Sequence, residues 1–322
     1  MRIIVTGANG FIGRTLVEAL LAVSEHEVVA VDTVAPSSAG LDGASWVCAD
    51  ISDPDVISSL FHEPCDGLVH LATLPGGAAE ENQELARKVN IDATLDLLEA
   101  VRSPDLVPRV VFSSSIAVYG EFAGRVIDDN TPTAPRMIYG AQKVMAENWI
   151  AALTRRGEIK GLSLRIPGVV ARPPAPSGMK SAFMSNVFHA ARNAEEFESP
   201  VSATATMWLT SRQCVVKNLM HALTLETDQL PPSLALTLPG LRVTMQDLAK
   251  AIAQHAGCPQ DFIRYAPDAD LEAAFGNLPE HRLRCAKRLG FCDDGDLDRL
   301  VASAFQPYKN IWSIANETSI CL

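Results

Sequence analysis

Several features are scarce or missing in this 322-residue sequence. Its seven cysteines include no C-x-x-C pair, so we expect reduced thiols in the cytoplasm and neither a disulfide framework nor a metal site. The first residues lack the pattern of a signal peptide, so we expect none, and no apolar run reaches the ~18 residues that a bilayer span needs. The net charge of −11 argues against a nucleic-acid partner. We therefore predict no contact with membranes or nucleic acids.

The remaining composition, 48% hydrophobic and 20% charged, is that of an ordinary globular protein. Through the first half, short β-branched segments alternate with segments of helical periodicity, which is typical of βαβ units and a parallel sheet covered on both faces. The predicted fold class is α/β, a Rossmann-type doubly wound parallel sheet. The predicted strands are 2–6, 27–32, 44–49, 67–72, 109–114 and 162–166, and the main predicted helices are 11–23, 83–102 and 138–154.

The pattern changes at the proline-rich segment 172–178. Its prolines lack amide donors, so we predict a loop. Beyond it, short helices and strands mix without clean alternation, which indicates a smaller C-terminal region laid over the open end of the sheet. We predict a Rossmann domain over 1–170 and a mainly substrate-binding region over 171–322, parts of which return to the Rossmann sheet.

A glycine-rich turn follows the first predicted strand and opens the first predicted helix. In TGANGFIG (6–13), Gly7 permits the tight turn, Gly10 lets the backbone approach a diphosphate, and Gly13 allows close packing of helix on strand. An ordinary βα turn would account for the glycines alone. Asp32, however, ends the second strand, where an acid binds the adenosine ribose and repels a 2′-phosphate. The pattern predicts a site for NAD rather than NADP.

Asp50 follows the third predicted strand and allows two interpretations. Its carboxylate could reach the amino group of adenine, or it could cap the helix that starts near Pro54. The residues alone do not separate these two.

Tyr139 and Lys143 are four residues apart on a predicted helix, which places both side chains on one face. A nearby ammonium and the positive charge of NAD⁺ would lower the tyrosine pKa from ~10 toward ~7, where it can serve as a base. Ser115 follows a predicted strand at the sheet edge where open α/β folds place their active sites. Alternatively, Tyr139 and Lys143 could be an ordinary pair on a helix surface and Ser115 an ordinary residue at a strand end. Together with the glycine motif, however, these residues favour a catalytic role.

These residues as a set resemble the extended short-chain dehydrogenases/reductases, often labelled the NAD-dependent epimerase/dehydratase family. The likeness covers the first half of the chain well. It is carried by TGANGFIG (6–13), Asp32, DI (50–51), HLAT (70–73), VN (89–90), FSSSIAVYG (112–120), YGAQK (139–143) and LRIPGVVARP (164–173).

The resemblance implies a catalytic triad of Ser115, Tyr139 and Lys143, with Asn90 supporting a water relay. It implies that Asp50 contacts adenine, and that the segment around Ile166 and Pro167 closes over the nicotinamide. The implied cofactor-binding residues are Gly7, Asn9, Gly10, Phe11, Ile12, Gly13, Asp32, Asp50, Ile51, Leu71, Ala72, Asn90, Ser113, Tyr139, Lys143, Ile166 and Val169.

Three segments of the second half, 177–188, 198–211 and 234–252, resemble family members that oxidise the C2 hydroxyl of a four-carbon sugar acid. Two departures stand out: Met207 replaces a histidine, and Arg212 directly follows Ser211 where those members have proline and then arginine. An acidic substrate needs a cation. The predicted substrate-binding residues are Thr73, Ser115 and Tyr139, the candidate cations Arg172, Lys180 and Arg212, and the possible pocket walls Phe183 and Trp208.

The leading hypothesis is NAD-dependent oxidation of a small sugar acid to a 2-keto acid. A nucleotide-sugar epimerase or dehydratase with bound NAD would share every catalytic residue, although Ser115 lacks the following Asp-Glu of a dehydratase. A third alternative is a redox-sensing or scaffolding protein that keeps NAD but has lost catalysis. Because the helices 83–102 and 138–154 form the dimer interface in the family, we also expect a homodimer.

Overall fold

A computed structural model describes residues 1–23, 25–36, 41–122, 124, 126–174 and 180–306. The strands are β1 (Arg2–Thr6), β2 (Glu27–Asp32), β3 (Ser45–Cys48), β4 (Gly67–His70), β5 (Arg109–Ser115), β6 (Ile127–Asp128), β7 (Lys160–Ile166), β8 (Gly168–Val170), β9 (Phe197–Ser199), β10 (Thr206–Ser211), β11 (Ala235–Thr237), β12 (Leu241–Thr244), β13 (Ile263–Tyr265) and β14 (His281–Arg282).

The helices are α1 (Gly13–Ala22), α2 (Pro54–Leu60), α3 (Gly76–Glu81), α4 (Gln83–Arg87), α5 (Ala93–Ala100), α6 (Ile138–Arg155), α7 (Phe183–Asn193), α8 (Arg212–Thr224), α9 (Met245–Ala256), α10 (Ala269–Phe275), α11 (Arg284–Arg288) and α12 (Leu297–Phe305). Within the part of the chain that the structure describes, no helix has the length and apolarity needed to cross a bilayer.

The central sheet has seven strands in the order β11-β7-β5-β4-β1-β2-β3, and all of its pairings are parallel. Chain order reverses between β1 and β4, which creates the crevice where open α/β sheets bind ligands. The predicted Rossmann-type doubly wound sheet is confirmed.

Apolar residues cover both faces of this sheet. On one face, Leu16 and Leu20 of α1 pack with Val215 and Leu219 of α8, and all four side chains are fully buried. On the other face, α5 and α6 supply a second buried cluster that also holds Ile4 of β1. The helical spacing of these apolar residues is what the sequence periodicity encodes.

Two smaller sheets, β12-β10-β8 and β14-β6, join strands of the C-terminal part to β8 and β6 of the first 170 residues, and a third, β13-β9, lies within the C-terminal part. A buried cluster in the C-terminal part includes Phe188, Met207 and Leu248. This part also returns to the central sheet, because β11 pairs with β7, Ala235 opposite Ser163. The division at residue 170 remains a prediction, and residues 175–178 of the predicted loop 172–178 lie outside the described residues.

The prediction of a single helix over 83–102 is wrong in one respect. This segment consists of α4, a π-helical turn at Lys88–Asp92 and α5. The wider turn carries Asn90, whose side-chain amide hydrogen-bonds the backbone of Leu74, a competing interaction that an apolar pattern does not reveal. Helix α3 was not predicted, because its sequence GGAAEE lacks an apolar period.

Candidate active site

The glycine-rich segment forms a tight cradle between β1 and α1. Gly7 has φ +68°, and a Cβ there would lie 2.7 Å from the backbone nitrogen of Ala72. A Cβ on Gly13 would lie 2.1 Å from the carbonyl oxygen of Gly7. Both positions therefore require glycine, and the space they leave at the N-terminus of α1 fits a diphosphate.

Asp32 lies at the carboxyl end of β2, beside this cradle. Its Oδ2 accepts a hydrogen bond from the backbone N–H of Asn9 at 2.9 Å, and its Oδ1 accepts one from Val34 at 3.2 Å. These bonds hold the carboxylate against the turn at the place where the ribose of NAD is expected.

Asp50 does not cap the following helix. Asp53 does so, because its Oδ1 accepts the Asp55 N–H at 3.0 Å, and the capping alternative for Asp50 is wrong. Asp50 instead accepts the Ser52 N–H at 2.8 Å, which lowers its pKa and keeps it ionised. The adenine contact thus remains as the predicted role, while the neighbouring Ile51 is largely buried in the core.

Three hydroxyl groups meet at Tyr139, near the N-terminus of α6. The side chains of Ser115, at the end of β5, and Thr73, in the loop after β4, lie near enough to the phenol to favour its ionised form. Ser115 is held in turn, because its Oγ accepts the Ala117 N–H at 3.2 Å. The fold therefore brings together the predicted serine and tyrosine, and it adds a threonine that borders the same point.

The pKa of Tyr139 is opposite to the expectation from the sequence. Burial raises the pKa of Tyr139 to about 12, although the charge of Arg172 and the nearby side chains of Ser115 and Thr73 oppose that rise. Desolvation outweighs the nearby cation because the phenolate would lose its water. At neutral pH the tyrosine in this structure is a neutral phenol.

Lys143 lies one turn further along α6 and is 2% exposed. Its Nζ is 4.6 Å from the centroid of the Phe112 ring and 5.4 Å from that of Tyr139. Burial lowers the pKa of Lys143 to about 7, and the charge of Glu147 partly opposes this. Keeping Lys143 protonated, as its predicted role requires, therefore costs free energy in this buried position.

Glu147 was missed by the sequence reasoning. Its carboxylate forms a buried ion pair with Arg165 of β7, Nη2 to Oε2 at 2.7 Å, and accepts a hydrogen bond from Ser114. Arg165 also donates to the Tyr119 hydroxyl at 3.1 Å. The available signal was the spacing: residues 139, 143 and 147 share one face of α6.

Asn90 connects the π-helical turn to the site. Its Oδ1 accepts from Thr73 Oγ1 at 2.9 Å and from the Leu74 N–H at 2.7 Å, while its Nδ2 donates to Leu74 and to Gln142. These bonds position the threonine that touches Tyr139. The predicted water relay and cofactor contact of Asn90 remain predictions.

The other predicted cofactor residues surround the crevice. The backbone N–H groups of Leu71 and Ala72 bond to Thr6, and the Ser113 hydroxyl donates to the carbonyl of His70 at 3.0 Å. Ile166 and Val169 are each 7% exposed and pack in the α1–α8 cluster.

The three candidate cations lie in different places. The Arg172 guanidinium acts electrostatically on Tyr139, and its backbone is held by Ser185 and His189. Lys180 is exposed in a short 3₁₀ turn. Arg212 is directed toward the cofactor cradle, with its guanidinium carbon 5.3 Å from the Phe11 ring centroid.

The two candidate pocket walls lie in the core. Phe183 is 5% exposed in the cluster around α7, and Trp208 is 1% exposed with its indole N–H donating to the Pro279 carbonyl at 2.7 Å. This burial lends no support to a substrate contact by either ring. The aromatic residues were singled out by composition, which does not distinguish a pocket wall from a core residue.

The sequence model of the NAD dependent epimerase/dehydratase family matches residues 3–213. The chain belongs to this family. It is an NAD-dependent oxidoreductase of the extended short-chain dehydrogenase/reductase type, and its cofactor is NAD.

Two similar proteins match over nearly their whole length. A D-erythronate dehydrogenase from Cupriavidus necator is 32% identical, with 94% of this chain and 97% of that protein covered. A D-erythronate dehydrogenase from Haemophilus influenzae is 31% identical, with 94% and 98% covered. The solved structure of a nucleoside-diphosphate-sugar epimerase from Agrobacterium tumefaciens is 28% identical, has a TM-score of 0.85, and covers 94% of this chain and 92% of its own.

Proposed function

We propose that this chain oxidises the C2 hydroxyl of a small sugar acid of the D-erythronate type to a 2-keto acid. The observation that carries the proposal is the charge of Arg172, which favours ionisation of the same Tyr139 phenol that Ser115 and Thr73 border. A 2-hydroxy acid presents its hydroxyl and its carboxylate on adjacent carbons, so it needs a base and a cation side by side. The full-length similarity to D-erythronate dehydrogenases supports the same substrate class.

In this mechanism Arg172 binds the carboxylate, for which a guanidinium offers paired donors. Ser115 and Thr73 orient the C2 hydroxyl toward Tyr139, and Tyr139 removes its proton as general base. When bound, NAD⁺ supplies the hydride acceptor and a positive charge.

The raised pKa of Tyr139 is the main obstacle to this chemistry. Lowering it from about 12 to near neutrality requires roughly 7 kcal/mol of preferential stabilisation of the phenolate. Protonated Lys143, whose Nζ lies close to the ring, contributes to this stabilisation, and the Ser115 hydroxyl is placed to donate to the phenolate oxygen. The Thr73 hydroxyl borders the same oxygen but donates its proton to Asn90. Because Lys143 itself loses its proton near pH 7, the charge of Glu147 beneath it helps to keep the ammonium populated.

The test is NADH formation by purified protein with NAD⁺ and a panel of four- to six-carbon aldonic acids. We expect turnover on D-erythronate or a neighbouring acid and its loss in Tyr139→Phe, a variant that removes the acid–base hydroxyl and keeps the ring. Turnover that survives in this variant would contradict the mechanism. No turnover on any acid, together with epimerisation of a nucleotide sugar, would establish the epimerase alternative, which the Agrobacterium neighbour makes the natural second candidate.

We also propose that the protein is a homodimer, in keeping with the prediction from the sequence. Supporting this, Ile138, Met145 and Trp149 of α6 are 37%, 55% and 43% exposed, and Leu85 of α4 is 41% exposed. Light scattering should show a dimer that Trp149→Glu dissociates, whereas Val34→Glu, at an exposed apolar residue elsewhere, should not. A monomeric wild-type protein would contradict this. The cytoplasmic location remains a prediction.

A further inference from the structure

Two cysteine side chains meet at the start of α8. Cys214 lies in the first turn of that helix, and Cys292 lies in the segment between α11 and α12. Cys214 Sγ donates to the carbonyl oxygen of Cys292 at 3.2 Å, and the Asn218 side chain contacts both sulfurs, with its Nδ2 3.7 Å from Cys214 Sγ and its Oδ1 3.7 Å from Cys292 Sγ. Both are free thiols.

The backbone around the pair is already held in place. The Asn218 side chain bridges α8 to Cys292: its Nδ2 donates to the Cys292 carbonyl at 2.8 Å, and its Oδ1 accepts the Cys292 N–H at 3.1 Å. Nearby, Asp294 accepts the Ser211 N–H at 2.9 Å, and Ser211 caps α8 through the Cys214 N–H. A covalent bond between the sulfurs would therefore join segments that are already fixed to one another.

The two thiols differ in accessibility and in charge. Cys214 is 7% exposed, whereas Cys292 is partly exposed. The neighbouring Cys214 thiol, with a smaller contribution from the charge of Lys217, lowers the pKa of Cys292 against the opposing effects of burial and of the charges of Asp293 and Asp294. The neighbouring Cys292 thiol and burial raise the pKa of Cys214. The more accessible sulfur is thus the one that carries the thiolate, which is the reactive form.

We propose that Cys214 and Cys292 are a redox-active thiol pair that a hydroperoxide converts reversibly into a disulfide. The Cys292 thiolate attacks a peroxide oxygen, the O–O bond breaks, and hydroxide leaves when the oxidant is hydrogen peroxide; Cys292 becomes a sulfenic acid. The Cys214 sulfur then attacks the Cys292 sulfur, the S–S bond forms, the S–O bond breaks, and the sulfenic oxygen leaves as water with the Cys214 proton. Two thiols are oxidised and one peroxide is reduced.

In the test, the full-length reduced protein is treated at neutral pH with equimolar hydrogen peroxide. It is then denatured in the presence of N-ethylmaleimide, which alkylates the remaining free thiols, and digested without reduction for mass spectrometry. We expect one cross-linked peptide that joins Cys214 to Cys292, two hydrogen atoms lighter than the separate peptides and lost on treatment with dithiothreitol. Cys65 is 2% exposed, and burial raises its pKa to about 11, so peroxide should leave it reduced and it should be recovered as the alkylated residue. A cross-link through other cysteines, Cys321 included, or sulfinic acid at Cys292 without a link, would overturn the proposal.

Single variants separate the two chemical steps. In Cys214→Ser the reaction should stop at a sulfenic acid on Cys292 that dimedone traps, and in Cys292→Ser the peroxide consumption at this pair should fall by about tenfold or more. Cys48→Ser, which removes an exposed thiol elsewhere, should keep the cross-link. Equal peroxide reactivity of the wild type and Cys292→Ser would contradict the proposal, and the wild-type peptide map decides it even if a variant fails to fold.

Discussion

The proposed cofactor side and the proposed substrate side of the crevice are built by different means. On the cofactor side, one short segment makes the cradle, and backbone contacts around Gly7 and Gly13 define its shape. On the proposed substrate side, Ser115, Tyr139 and Arg172 come from separate elements, and burial, charge and neighbouring polar side chains together set the pKa of the tyrosine. Close backbone contacts define the first arrangement, so it should tolerate almost no substitution. Charges and desolvation define the second, so each substitution there should change activity by a graded amount.

The sharpest test of the steric side is Gly13→Ala. Its Cβ would lie 2.1 Å from the Gly7 carbonyl oxygen, a backbone atom that cannot move aside cheaply. We expect at least about 3 kcal/mol lost from NAD binding, from folding, or from both. Calorimetric titration and thermal melting measure the two losses. Gly67→Ala, whose Cβ would meet a Leu223 side chain at 3.4 Å, is the matched control; equal behaviour of the two variants would refute the steric argument.

Lys143→Met should separate stability from catalysis on the electrostatic side. The folded-state pKa of about 7 lies below the ordinary value of 10.5, so the unfolded chain binds more protons between these values and wild-type stability rises with pH across that range. At pH 7 the buried lysine costs roughly 4 kcal/mol, which methionine avoids.

Denaturant melts at pH 7 and pH 10 should therefore show a variant more stable than wild type at pH 7, with a smaller advantage at pH 10. Activity should be lost. A variant less stable than wild type at pH 7 would show that the ammonium is net stabilising where it lies.

Arg172→Gln tests the cation of the substrate side. We expect kcat/KM for the sugar acid to fall about 100-fold, since a charge-assisted pair with the carboxylate is lost, while the affinity for NAD stays unchanged. Steady-state kinetics and NAD titration give the two values. Lys180→Gln is the control and should stay within about twofold; the reverse order would assign the carboxylate to Lys180.

Asp32→Asn should give the smallest change, since asparagine keeps an oxygen that can accept from the Asn9 N–H. Loss of the charge should weaken NAD binding by about tenfold and reduce the preference over NADP. Competition between the two dinucleotides measures this preference. An undiminished preference would place the discrimination elsewhere in the cradle.

Sequence reasoning was strongest where the relevant residues are neighbours in the chain. The glycine segment with β1, α1 and Asp32, and the pair Tyr139 and Lys143 on α6, could be placed from spacing, because local geometry determines what they face. The parallel, doubly wound sheet followed from the alternation of elements. The π-helical turn did not, because the bonds of Asn90 to Leu74 depend on a loop brought in from elsewhere.

The electrostatics could not be predicted with the same success. The directions of the Tyr139 and Lys143 pKa shifts depend on desolvation, which a sequence does not display. Likewise the sequence presents Arg172, Lys180 and Arg212 as three equally plausible cations for a carboxylate. Only the fold shows that Arg172 acts on Tyr139 and that Arg212 lies near Phe11.

The late return of the chain to its first sheet limits how this protein can be divided or recombined. A fragment that stops at residue 170 would leave the edge of β7 without β11 and would uncover the apolar surface that Val215 and Leu219 of α8 protect. Such a fragment should aggregate rather than act as a free cofactor-binding module. Chimeras that exchange substrate regions between relatives should therefore retain 212–237 from the parent that supplies the cofactor-binding part. A single junction at residue 170 would separate this stretch from the sheet on which it packs.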